Sequence, residues 1–165
     1  MKFFAGAIVS MGLMSVVASA SAAEVVRHKI PNSDFPIAQA VEIPAGMTTV
    51  YVSGALASVN NEKAPKGSIE SYGDTKTQTI SAFKSIEKTL ASMDLKMGDV
   101  VKMQVFLVGD PSKDGKMDFK GFMEGYTQFF GTKEQPNLPA RSVFQVASLA
   151  GPGNLVEIEV IAARH

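Results

Sequence analysis

Polar and apolar positions alternate with a period of two across Asp99–Val108. There the run VVKMQVFLV carries its polar residues at Lys102 and Gln104, which predicts a strand. The same period recurs at Leu155–Ala162: Val156, Ile158 and Val160 share one face, and Glu157 and Glu159 point to the other. Val25–Ile30, Ala38–Ile43, Thr48–Ser53 and Ser142–Ala147 bring the expected strands to six. Pro44-Ala45-Gly46 separates the second from the third, and Ala150-Gly151-Pro152-Gly153 the last two. Each connection reads as a hairpin turn.

A period near 3.6 takes over in two places. Ile80, Phe83, Ile86, Leu90 and Met93 form one apolar face of a long helix opened by Asp74 or Thr75, with Thr75 and Gln78 at capping-box spacing. Asp118 is placed to cap a second helix, with Phe119, Phe122, Met123, Tyr126, Phe129 and Phe130 on one side and Gly131 as a C-terminal stop. Gly121 and Gly125 within it suggest close packing against the sheet. Both stripes read as core. The order of strands, helix, strand, helix, strands implies an α+β domain with two helices on one face of a mixed sheet.

The N-terminus changes the picture. Lys2, the apolar run Phe3–Ala18 and the small-residue pairs around Ala18, Ala20 and Ala22 read as a secretory signal over residues 1–23, with 24–165 the single mature domain. The expected product is exported, with a bacterial periplasm the simplest destination and no membrane attachment after cleavage. Residues 1–23 contain Lys2 and no acid, so the mature chain of 142 residues carries 15 basic and 16 acidic side chains, a formal charge of −1. Such a balance gives no electrostatic footprint for nucleic acid. With no cysteine and two histidines near the mature ends, His28 and His165, no metal site or thiol chemistry is expected.

Candidate chemistry gathers near the C-terminus. PNLPARS (Pro136–Ser142) sets Arg141 at the start of one strand and VEIEVIA sets Glu157 inside the next. Arg141 offers a fork of donors that grips a small carboxylate, and Glu157 can hold a water or move a proton. As residue types alone they fit a structural ion pair, or a solvated Arg and Glu, as well as a site.

Five blocks in order extend the pattern: VSG (Val52–Gly54), MDLKMGDVVK (Met93–Lys102), YTQFF (Tyr126–Phe130), LPARS and VEIEVIA. Over about Phe35–Arg164 the chain resembles the Rid/YjgF family of reactive-intermediate deaminases. The resemblance implies the chorismate-mutase-like YjgF fold and a homotrimer whose sheets form a central barrel, with a cleft at each subunit boundary. It implies hydrolysis of 2-imino or 2-enamino acids, of the 2-iminobutanoate and 2-iminopropanoate type, to 2-oxo acids and ammonia without a cofactor. Arg141 then corresponds to the carboxylate-binding arginine, Glu157 to the water-orienting glutamate, and Ser53 and Gly54 to the strand end lining the cleft. The pattern departs at Ile37, where deaminases carry tyrosine, at Met123 for asparagine, at Ala55 for glutamine and at Val143 for cysteine. With Ile37, Met123 and Val143 counted among the substrate-binding positions, the expected pocket keeps its charged pair and loses polar rim groups. Two other readings compete: a non-catalytic trimeric binder of small carboxylates, and an endoribonuclease-like activity.

Overall fold

The computed structural model describes residues 24–165, so the expected signal segment lies outside the described residues. Six strands form one mixed sheet: β1 (Val26–Lys29), β2 (Ala38–Glu42), β3 (Thr48–Leu56), β4 (Val100–Val108), β5 (Ala140–Val146) and β6 (Val156–Arg164). The helices are α1 (Ile69–Tyr72), α2 (Thr75–Ala91) and α3 (Phe119–Tyr126), so one short helix joins the two expected.

The sheet order is β1-β2-β5-β4-β6-β3. Strand β6 runs antiparallel to both β3 and β4, while β4 and β5 are parallel. Neither expected hairpin forms. Strand β2 lies between β1 and β5, with β3 at the far edge, and β4 separates β5 from β6. Turn residues mark where a strand stops, but partners follow from burial. Strand β4 buries Val101, Met103, Val105 and Leu107 and takes the centre, whereas β2 exposes Gln39, Ala40 and Glu42 and stays near an edge. The chain from β4 to β5 passes through α3, the crossover that a parallel pair requires.

The alternation in β4 and β6 sorts the two faces. Met103, Val105 and Leu107 meet Val156, Ile158 and Val160 beneath α2 and α3, where Phe83, Ile86, Leu90, Phe122, Tyr126 and Phe130 complete the core. Gln104, Phe106, Glu157 and Glu159 point to the opposite, open face, where no helix covers them. Phe144 and Tyr51 are exposed there, Tyr51 at 78%.

Three local details differ from the sequence reading. Asp74 alone caps α2, accepting from Thr77 N–H at 2.8 Å. Gln78 is fully buried instead, donating to the Gly73 and Gly153 carbonyls and accepting from Leu155 N–H. It ties the start of α2 to the approach to β6, which is worth more to a buried amide than a solvated cap. Gly125 is the contact point of α3 with α2, where a Cβ would run into Thr79. At Gly125 the expected packing against the sheet is therefore helix-on-helix packing, whereas Gly121 packs on the Asp118 cap of its own helix. Helix α3 ends at Thr127, and Gly131, with φ +72°, turns the chain beyond it.

Candidate functional site

Strand register decides where Arg141 and Glu157 point. Arg141 stands opposite Met103, so it rises from the helix-covered face. Glu157 stands opposite Phe106, which in turn faces Phe144 across the sheet. Glu157 therefore projects from the open face. Within one chain the two charges thus lie on opposite sides of the sheet, with β4 between their strands.

Around Arg141 the sequence builds a cage. Its guanidinium carbon lies 4.2 Å from the Tyr126 ring centroid, 5.0 Å from Phe122 and 5.6 Å from Phe35. Residues 122 and 126 are one helical turn apart on α3, which stacks their rings over the same spot. Tyr126 also donates its hydroxyl to the Pro36 carbonyl at 2.8 Å and so holds the Phe35–Ile37 segment beside the arginine. One guanidinium nitrogen, Nη2, meets the Met123 thioether at 3.3 Å, and the Tyr126 side chain stands close enough to hydrogen-bond the arginine as well. The other, Nη1, is buried and has no hydrogen-bond partner among the described residues. Burial pulls the arginine pKa below its ordinary value, and the neighbouring Tyr126 works against that shift. Burial likewise pushes the Tyr126 phenol up to about 12, with Arg141 opposing.

A buried cation with an unused donor and no counter-ion is unusual, because leaving a buried donor unmade costs about 1–3 kcal/mol. The ion pairs among the described residues are His28–Glu42 and Lys76–Glu124, and neither involves Arg141.

The second half of the site forms at the other edge of the sheet. Between Val52 and Ala55 the β3–β6 register slips, so Ser53 and Gly54 together span the position of Glu159. This bulge bends β3 and brings the Gly54 backbone against the Glu157 side chain. A Cβ at Gly54 would overlap the Glu157 carboxylate, so glycine there is a space requirement. Ser53, Gly54 and Ala55 also line a groove of about 480 Å³ against Ser85, Thr89 and Met93 of the α2 side. A neighbouring recess of about 320 Å³ on the open face holds Glu159 with Ser53, Lys102 and Gln104.

All the predicted residues but Ile37 thus fall into two groups. Arg141 and Met123 are in contact, and Val143 follows on the same face of β5, opposite Val105. Ser53, Gly54 and Glu157 are together at the bulge. Ile37 lines a smaller cleft of about 180 Å³ with His28, Ala38 and Leu138, on the β1 side of the arginine. The sequence reading missed Phe35, Phe122 and Tyr126 as the arginine's walls. The available signal was the spacing of 122 and 126 on the face that Arg141 must share, read only as core. Among the described residues no three His, Cys, Asp or Glu side chains converge to hold a metal ion.

With this geometry in view, a model of the endoribonuclease L-PSP family matches residues 22–164. The chain belongs to the YjgF/Rid family. Solved members share its fold. A Rid-family protein of unknown function from Yersinia pestis, YyfB, aligns with TM-score 0.62 at 23% identity, over 84% of this chain and 98% of that one. Escherichia coli TdcF with bound serine aligns at 28% identity and TM-score 0.55, covering 84% of this chain and 94% of its own. A YjgF-family protein from Mycobacterium tuberculosis gives 26% and 0.52, covering 86% and 100%. No curated protein matches the chain. The YjgF fold expected from the sequence is the fold observed.

Proposed function

We propose that this Rid-family chain is an exported deaminase that hydrolyses small 2-imino or 2-enamino acids, and that its working site is assembled from two copies. One observation carries the reading: among the described residues the caged Arg141 has no counter-ion and its Nη1 no hydrogen-bond partner, while Glu157, on the reverse side of the sheet, has no ion-pair partner. One chain cannot bring them to one substrate. An edge-to-edge assembly, such as the trimer expected for the family, sets the β3 bulge of one subunit against the Arg141 cage of the next. The serine bound to TdcF supports a small α-amino carboxylate as the kind of molecule held.

The chemistry then follows from the groups. The substrate carboxylate supplies Arg141 with two strong acceptors. This fixes the adjacent C=N carbon within reach of a water held by Glu157 of the other copy. The Glu157 carboxylate draws a proton from that water as the water oxygen bonds to the C=N carbon, and passes the proton to the imine nitrogen. In the collapse of the resulting carbinolamine Glu157 carries the hydroxyl proton to the nitrogen, the C=O bond forms as the C–N bond breaks, and ammonia and the 2-oxo acid are released. Positioning supplies most of the acceleration, because an imine is already electrophilic.

The test couples an amino-acid oxidase, which generates the imine in place, to ammonia release, with light scattering on the same sample. The expected results are faster ammonia release than in enzyme-free controls, a trimer mass, and loss of activity in both Arg141→Ala and Glu157→Gln. A monomer mass at micromolar concentration would sink the two-copy site. Saturable binding of pyruvate with no ammonia release would make the protein a carboxylate binder instead.

A further inference from the structure

The chain has no cysteine, so its sulfur chemistry belongs to methionine and no thiol competes for an oxidant. Among the described residues Met97 and Met103 are buried, whereas Met47, Met93, Met117 and Met123 are partly exposed. Met123 alone among them brings its sulfur within hydrogen-bond distance of a cation, 3.3 Å from Nη2 of Arg141. The adjacent Nη1 is buried without a hydrogen-bond partner. A thioether is a weak acceptor. Its sulfoxide carries a strongly polar S–O bond whose oxygen accepts readily, and the unbranched methionine stem is flexible enough to aim it.

We infer that Met123 is an oxidation site, and that its sulfoxide latches Arg141 from within the same chain. Hydrogen peroxide is the oxidant. A sulfur lone pair attacks one peroxide oxygen, and the S–O bond forms as the O–O bond breaks. The departing hydroxide takes the proton left on the transferred oxygen and leaves as water. The new oxygen is one bond from a sulfur that already faces Nη2, and it gives the guanidinium an acceptor where the thioether gives little. A donor fork short of partners is thereby served, so oxidation leaves the fold at least as stable as before. A sulfoxide forced into an apolar core does the reverse. On the carboxylate reading above, the latched arginine is closed, because the sulfoxide holds donors that a ligand would use. A methionine sulfoxide reductase reverses the step, releasing the oxygen as water while two thiols of its reductant join as a disulfide.

The test treats the full mature chain with hydrogen peroxide. Peptide mass mapping follows the oxygen gained at each methionine, calorimetry the affinity for pyruvate, and a urea titration the stability. Met123 should gain an oxygen, and pyruvate affinity should fall at least about tenfold in the oxidised fraction. The urea midpoint should hold or rise, and the reductase with dithiothreitol should restore the affinity. In Met123→Leu the same treatment should leave pyruvate affinity at that variant's own starting value, although Met47, Met93 and Met117 still take up oxygen. Oxidation of those residues with Met123 untouched overturns the inference. So does full affinity in the Met123 sulfoxide, an equal loss in treated Met123→Leu, or a midpoint lowered by peroxide in the wild type only. If the untreated chain binds no pyruvate, the carboxylate reading fails by itself, and the midpoint still decides the latch.

Discussion

Replacing Arg141 by Met separates a structural arginine from one kept for a ligand. In the folded chain the guanidinium stacks 4.2 Å from the Tyr126 ring centroid, and that desolvated cation–π contact is worth about 1–2 kcal/mol. Its bond to the Met123 sulfur adds little, since sulfur accepts weakly. Against this stands the Nη1 donor, buried without an acceptor, at a cost of about 1–3 kcal/mol. The two nearly cancel. Methionine keeps a linear aliphatic stem in the cage and removes the orphan, so unfolding free energy should stay within about 1 kcal/mol of wild type, with slight stabilisation favoured. In a urea titration with a slope of about 2 kcal/mol/M, the midpoint should move by less than about 0.5 M. Pyruvate binding should vanish in the same variant. If the arginine were instead half of a buried ion pair, its loss would cost about 3–5 kcal/mol. A midpoint drop corresponding to more than about 3 kcal/mol, or retained pyruvate binding, would refute the argument.

Other substitutions probe the remaining parts. Gly54→Ala puts a Cβ where the Glu157 carboxylate lies, so Glu157 must swing aside. Ammonia release should fall at least about tenfold while pyruvate affinity measured by calorimetry stays near wild type, and undiminished release would detach Glu157 from the chemistry. Gln78→Met strips partners from Leu155 N–H and from the Gly73 and Gly153 carbonyls, and should cost about 3 kcal/mol or more by urea titration. Tyr126 has a folded pKa of about 12, raised by burial from its ordinary 10.0. Its protonated form stabilises the fold fully below about pH 10, and this contribution is lost as pH rises towards 12. Tyr126→Phe should therefore flatten the decline in stability between about pH 10 and 12. An unchanged slope in that variant would assign the alkaline loss to other groups.

All six strands and both long helices were legible from periodicity, because each buries one face and the buried residues repeat at the element's own period. Partnership was not. The turns at Pro44–Gly46 and Ala150–Gly153 suggest hairpins, yet β4 is the most buried strand and takes the position between β5 and β6. Local turn chemistry carries no term for that competition. Arg141 and Glu157 could be singled out by residue type and resemblance, but their opposite orientations depend on two registers that no local pattern sets. The cage was hidden for a related reason. Phe122 and Tyr126 belong to the same stripe that fills the core, and a ring that packs on carbon looks, in sequence, like one that stacks on a guanidinium. The capping-box spacing of Thr75 and Gln78 misled because a buried cross-link from Gln78 to the approach to β6 outweighs a cap that water could replace.

The position of β6 has a consequence for the order in which the fold can arise. Strand β3, complete by Leu56, has no neighbour among the described residues other than β6, which ends at Arg164. About a hundred residues must be made before it can pair, so closure of that loop is late and entropically costly. Until then β3 is a nine-residue strand with both backbone edges unpaired, and Val156, Ile158, Val160 and Ala162 are missing from the core beneath the helices. Nothing upstream can substitute, since β1 and β2 meet only each other and β5. The domain is therefore a poor candidate for stepwise folding on the ribosome. It should remain open until its final strand is free, and a chain shortened by the ten C-terminal residues should fail to fold rather than fold weakly.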